Sequence, residues 1–194
     1  MPDYEAFKLE ISELLKAKLN PKLTYHGFHH VENVMQAAMM LAAHIHLSNK
    51  DLLLLKTAVM LHDSGFTVTY LNHEAESVLI GRKMLPAYGY TEADIDIIAG
   101  MIMATKIPQM PNNLLEYIIA DADLEYLGTD QFDEISESLF VEMMAFNFIK
   151  DRDQWNQIQV NFLTKHSYFT DFCRKFREPV KQENLNKVKA LIKI

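Results

Sequence analysis

The apolar stretch Leu52–Leu61 runs directly into an adjacent ionisable pair, His62-Asp63. Burying such a pair at the inner end of a hydrophobic helix is costly unless each group meets a partner or a cation. The fold must therefore carry complementary groups to this point. Two other segments hold groups of the right kind: Tyr25-His26-Gly27-Phe28-His29-His30-Val31 upstream and Ile119-Ala120-Asp121-Ala122-Asp123-Leu124 downstream. In chain order the three segments supply His, His-Asp and Asp, a mixed nitrogen and oxygen set suited to one divalent metal.

The apolar spacing is helical nearly throughout. Phe7, Ile11, Leu14 and Leu15 form one stripe, Val31, Val34, Ala38, Leu41 and Ile45 a second, and Ile95, Ile98, Ile102 and Met103 a third. Start signals agree: Ser48 with Asp51 and Thr91 with Asp94 are capping-box pairs, and Asn72 can cap a helix from His73. Gly65, Gly89, Gly128 and the stretch Pro108–Asn113 mark breaks. No segment alternates with period two between hairpin turns. About nine helices follow, the last an amphipathic one after Pro179, so the chain should be an all-α, multi-helix bundle. With 194 residues, one domain over 1–194 is expected. Its motif-bearing core spans about 25–128, with the helices of 129–194 packed on it.

A formal net charge of −7 argues against non-specific nucleic-acid binding, which needs a cationic surface. A small anionic substrate is still compatible, because a bound metal reverses the local field. Cys173 is the only cysteine, which excludes an internal disulfide and a Cys-rich zinc site and fits a reducing cytoplasm. The acidic start Met1–Glu5 is not expected to act as a signal peptide, and no apolar run approaches the ~20 residues that span a bilayer. A cytoplasmic protein without membrane contact is expected.

Counting about 100° per residue assigns faces. His30 shares the side of Val34, Leu41 and Ile45 and points inward, whereas His29 falls nearer Gln36 and points outward. His26 lies four residues before His30, one turn earlier on the same side if the helix reaches that far. Downstream, Asp123 shares a stripe with Glu116, the only polar one on its helix. Asp121 lies opposite, beside Leu114 and Ile118, so Asp121 is the carboxylate expected on the metal. Glu125, one turn on, would be a partner behind the ligands. A lone inward histidine is more often a satisfied core residue, but three inward ligand segments on separate helices are harder to explain that way. His44, His46 and His166 lack such context and are expected in solvent, as are Arg82 and Lys83.

These residues resemble the HD-domain superfamily of metal-dependent phosphohydrolases, whose pattern of His, His-Asp and Asp falls here on His30, His62, Asp63 and Asp121. The segment Leu61-His62-Asp63-Ser64-Gly65-Phe66 is similar to the family's His-Asp-x-Gly turn. Tyr25-His26, with His30 four later, resembles the start of the cyclic-nucleotide phosphodiesterase site. There the first histidine protonates the leaving group and the second binds metal, which implies those roles for His26 and His30. His73-Glu74 resembles the place where some members add a histidine for a second metal. The similarity runs from about Tyr25 to Gly128. The branch that cleaves cyclic dinucleotides carries a His-His pair before the last Asp, and this chain has no histidine between His73 and Asp121. A complete multi-metal site and cyclic dinucleotide cleavage are therefore not expected. Lys106 lies in that interval and could meet a phosphate, or simply complement a helix C-terminus.

Two imidazoles and two carboxylates suit Mn, Fe, Zn, Ni or Co, with Mg less favoured because it prefers oxygen ligands. The resemblance implies hydrolysis of a small-molecule phosphate ester, a nucleotide or a relative, by metal-activated water. Asp63 would orient that water or bridge to a second ion, and His26 would pass a proton to the departing oxygen. The alternatives are a di-iron oxygenase on the same scaffold, with His73 as the evident extra ligand, and a non-catalytic, metal-stabilised binding or regulatory module.

Overall fold

The computed structural model describes residues 2–192. Their contacts divide them into two compact units: residues 2–20 with 26–123, and residues 21–25 with 124–192. Tyr25 and residues 124–128, which the sequence placed in the motif-bearing core, thus fall in the second unit.

The first unit contains α1 (Tyr4–Lys18), α2 (Phe28–Ala43), α3 (Asn49–Leu61), α4 (His73–Met84), α5 (Glu92–Ala104) and α6 (Leu114–Asp123). Short 3-10 turns at Ser64–Thr67 and Leu85–Tyr88 join α3 to α4 and α4 to α5. α3 is the central element and touches α1, α2, α4, α5 and α6. Its sequence explains this place: Leu54, Leu55 and every residue from Thr57 to Leu61 are buried. A helix apolar on nearly all sides belongs inside a bundle rather than on its surface. The polar Thr57 is tolerated there because its hydroxyl meets Leu53 O at 2.9 Å and the Tyr90 hydroxyl at 2.7 Å.

The caps follow the sequence in two cases out of three. Thr91 and Asp94 form a reciprocal capping box, and Ser48 Oγ accepts from the Asp51 amide at 3.0 Å. Asn72 precedes α4 in the left-handed region with φ 56°, but its side chain caps nothing. Its amide oxygen accepts instead from Lys106 Nζ at 3.0 Å. Of the three apolar stripes, Leu14 and Ile45 are half-buried and Met103 is exposed; the other members are buried.

The second unit contains a 3-10 turn at Glu125–Gly128 followed by α7 (Phe132–Ala145), α8 (Arg152–Lys165), α9 (Asp171–Phe176) and α10 (Glu178–Leu191). Leu124, Leu127, Phe132, Leu163, Leu185 and Val188 make its core. His166, expected in solvent, is half-buried and engaged by Lys181. Among the described residues there is no strand, and no helix is long and apolar enough to cross a membrane.

Candidate metal centre

Three helix ends of the first unit meet at one point. His30 stands in the first turn of α2, where its amide bonds Gly27 O at 3.0 Å. His62 follows the last residue of α3, and Asp123 is the last residue of α6. The ligand atoms of His30, His62 and Asp123 all lie within 4.8 Å of one another. His30 Nε2 is 3.0 Å from Asp123 Oδ1 and 3.5 Å from Asp63 Oδ2. His62 Nε2 is 3.4 Å from Asp63 Oδ2 and 3.6 Å from Asp123 Oδ1.

The carboxylate at this point is Asp123, not Asp121. Asp121 is fully buried and so is Ile118, but Leu114, expected on the same face, is exposed. The error lay in equating the core face with the site face. Asp123 lies on the polar side of its helix, and its side chain keeps 13% of its surface exposed. The stripe of Glu116 and Asp123 is that side. Glu125 is not a partner behind the ligands either, since its carboxylate pairs with Arg177 Nε.

The tautomer of His62 follows from its surroundings. Nδ1 lies 2.8 Å from Val59 O; a carbonyl only accepts, so Nδ1 carries a proton and Nε2 is the nitrogen that faces the carboxylates. A ligand histidine needs this arrangement. His62 Nε2 and Asp63 Oδ2 are both buried without a hydrogen-bond partner. Orphaned polar atoms facing each other in a dry place are costly unless a cation sits between them.

The turn after Asp63 holds this geometry. A Cβ on Gly65 would lie 1.9 Å from His73 O, so only glycine lets the turn touch the start of α4. Ser77 Oγ, fully buried on α4, donates to His62 O at 2.7 Å and accepts from the Gly65 amide at 2.8 Å. Phe66 packs against two imidazoles, stacked on His73 at 3.9 Å and on His26 at 4.3 Å. α2 begins at Phe28, so His26 precedes it, yet its ring centre is 5.8 Å from that of His30. His73 Nε2 is 3.3 Å from Asp63 Oδ1 and Nδ1 is 3.3 Å from Tyr70 O. Ser77 and Phe66 were missed from sequence. Neither a serine within a helical segment nor an aromatic after a turn signals such a contact in sequence.

Charge is arranged to receive a cation. Burial opposes the charged form of each group, but the mutual contacts outweigh it. Asp63 and Asp123 hold His62 well above the ordinary imidazole range. His62, His73 and His26 hold Asp63 well below the ordinary carboxylate range. Asp123 is pushed down to about 2 by His30 and His62. His73 is raised by Asp63 and Glu74. His29 is exposed, as its phase predicted. Lys106 reaches this neighbourhood through Asn72, the residue before His73.

The HD domain family matches residues 27–125, half of the chain. A search of curated proteins gave no significant match. The solved structure of a predicted HD superfamily hydrolase from an uncultured Thermotogales bacterium superposes with a TM-score of 0.62 at 18% identity, covering 94% of this chain and 90% of its own. At that identity the likeness concerns the fold.

Proposed function

This chain belongs to the HD-domain family, and we propose that it is a metal-dependent phosphohydrolase acting on a phosphate ester of a nucleotide or a related small molecule. The observation that carries this reading is the pair of buried, unpartnered atoms, His62 Nε2 and Asp63 Oδ2, flanked by His30 Nε2 and Asp123 Oδ1. His30, His62, Asp63 and Asp123 would hold one divalent ion, with Mn, Fe, Zn, Ni or Co favoured by two imidazoles and Mg less so. Such an ion supplies hydroxide near neutral pH and offsets charge on a phosphoryl oxygen.

The remaining work falls to the chain's own side chains. His73, bonded to Asp63 Oδ1, fixes the orientation of that carboxylate and leaves Oδ2 for the site. His26 is half-buried and held flat against Phe66, beside His30 and His73. From there it would hold a proton for the departing oxygen. Lys106, anchored by Asn72, would meet a nonbridging phosphate oxygen. One observation favours a second reading: His73 and the buried Glu74 stand 3.8 Å apart beside Asp63. That would let Asp63 bridge two ions, as an oxygenase on this scaffold requires.

Elemental analysis of purified protein followed by a phosphate-ester screen tests the proposal. About one divalent transition metal per chain and release of phosphate are expected. Two irons per chain with no phosphate release would move the reading to the oxygenase. No metal, even after reconstitution, would end both.

A further inference from the structure

The polar stripe of α6 has a second end. Glu116 lies seven residues before Asp123, two turns or roughly 10 Å along the helix on the same face. There it lines a cavity of about 410 Å³ together with Gly100, Lys106, Met103, Ile107 and Met110. This volume is in the range of small-molecule sites. Lys106 belongs to the cavity wall and donates to Asn72, the residue before His73, so one side chain of the wall is tied to the segment that carries His73.

The chemistry of the wall is specific. Met103, Ile107 and Met110 are 40%, 49% and 76% exposed, large apolar side chains whose soft surfaces suit the face of a flat ring. Among them stands one fixed carboxylate. Glu116 Oε2 accepts from the Asn112 amide at 2.7 Å and Asn112 Nδ2 at 3.3 Å, and Oε1 accepts from Asn113 Nδ2 at 2.7 Å. These bonds cap α6 and also hold the carboxylate still. An ionised carboxylate offers about four acceptor positions; three are used, and the fourth is on Oε1. A Cβ on residue 100 would come to 3.0 Å from that oxygen, so Gly100 is what leaves space beside it.

We propose that this cavity binds the leaving group of the substrate, and that the leaving group carries a nitrogen heterocycle with an exocyclic amino group donating to Glu116 Oε1. The placement of phosphate at the Asp123 end rests on the hydrolase reading above; the cavity's preference for an amino-bearing ring does not. Adenosine, guanosine and cytidine present that chemistry without a phosphate.

The test is a titration of the whole protein, labelled with ¹³C on its methionine methyls, with each of these nucleosides and with the analogue of each that lacks the amino group. Neither metal nor turnover is needed. At least one nucleoside should shift the Met103 and Met110 signals saturably, with the other methionine signals unmoved. Its analogue should bind about tenfold more weakly, the loss expected for one charge-assisted hydrogen bond. In Glu116→Gln, which keeps the side chain's shape, that gap should shrink to about twofold or less. Gly100→Leu should abolish the shifts. Failure of all three nucleosides to move both signals overturns the proposal, as does a gap that survives Glu116→Gln unchanged. Either failure, alongside phosphate release by the metal-loaded protein, leaves the hydrolase reading standing. Methyl shifts without hydrolysis of any ester would retain the cavity and remove the hydrolase.

Discussion

Lys181 in α10 and His62 at the end of α3 are both fully buried, and they are surrounded in opposite ways. The Lys181 ammonium has three protons and finds three acceptors: Glu178 Oε2 at 2.9 Å, His166 Nδ1 at 3.3 Å and the carbonyl of His166. Its position over the Tyr168 ring adds a fourth favourable contact. Around His62 the converging groups are two imidazoles and two carboxylates, and two of their atoms stay unpaired. Burial of charge therefore does not mark function in this protein. The mark is an excess of acceptors that no internal donor balances, which a cation can.

The largest effects should fall on the unbalanced cluster. Asp123→Asn is expected to weaken metal binding by more than about 100-fold, beyond the 10–100-fold typical of groups that only support ligands, and turnover should vanish with the metal. Asp121→Asn should lose no more than about tenfold. Equal losses, measured by competition with a chelator, would mean that both faces of α6 serve the ion. Next in size is His26→Ala, expected to retain metal while losing about 10²–10⁴-fold in turnover. The loss should shrink on p-nitrophenyl phosphate, whose leaving group needs no proton. An equal loss on good and poor leaving groups would remove His26 from proton transfer.

The helical architecture was legible because helix formation follows local periodicity. The stripes of α1, α2 and α5 emerge with mostly buried members, and the Thr91–Asp94 box forms as written. His30, His62 and Asp63 were legible because ionisable groups on apolar faces have few explanations. Asp123 was misassigned because a one-dimensional count cannot tell a solvent stripe from a cleft. Both are polar, and only the packing of α2 and α3 against α6 separates them. Met103 was read as core for the mirror-image reason, since it falls in phase with Ile95, Ile98 and Ile102 but lines the cavity. Asn72 failed as a cap because Lys106, distant in sequence, holds its amide oxygen.

The balanced cluster should respond in stability alone. Lys181→Met removes the ammonium and leaves Glu178 Oε2 and the His166 carbonyl without their donor. Removing one partner of a buried pair costs about 3–5 kcal/mol; because Glu178 is 31% exposed and can recover water, about 2 kcal/mol is the better expectation. Urea unfolding measures it. Metal content and turnover per folded molecule should match the wild type. A loss of metal in this variant would break the distinction between the two clusters.

The smallest effect sharpens the same distinction through pH. Asp94 is buried and paired with Lys50 Nζ at 2.6 Å, and its Oδ2 accepts from the Thr91 amide at 3.1 Å. Burial alone would raise its pKa, but Lys50 and Thr91 together hold it below the ordinary carboxylate value. A group whose pKa is depressed by folding stabilises the folded state above its unfolded pKa, near 3.9, and that contribution is lost as pH falls through the lower folded value. Asp94→Asn should therefore cost about 1 kcal/mol at pH 7, a modest figure because Lys50 is 52% exposed and its attraction is screened. The difference between wild type and variant should narrow below about pH 4 and nearly close once Asp94 is protonated in both states. Urea midpoints across that range, compared with metal content at pH 7, make the test. A difference that stays constant to pH 2.5 would show that the Asp94 charge contributes nothing. A loss of metal in Asp94→Asn would show that a donor-matched pair in this fold can act on the site after all.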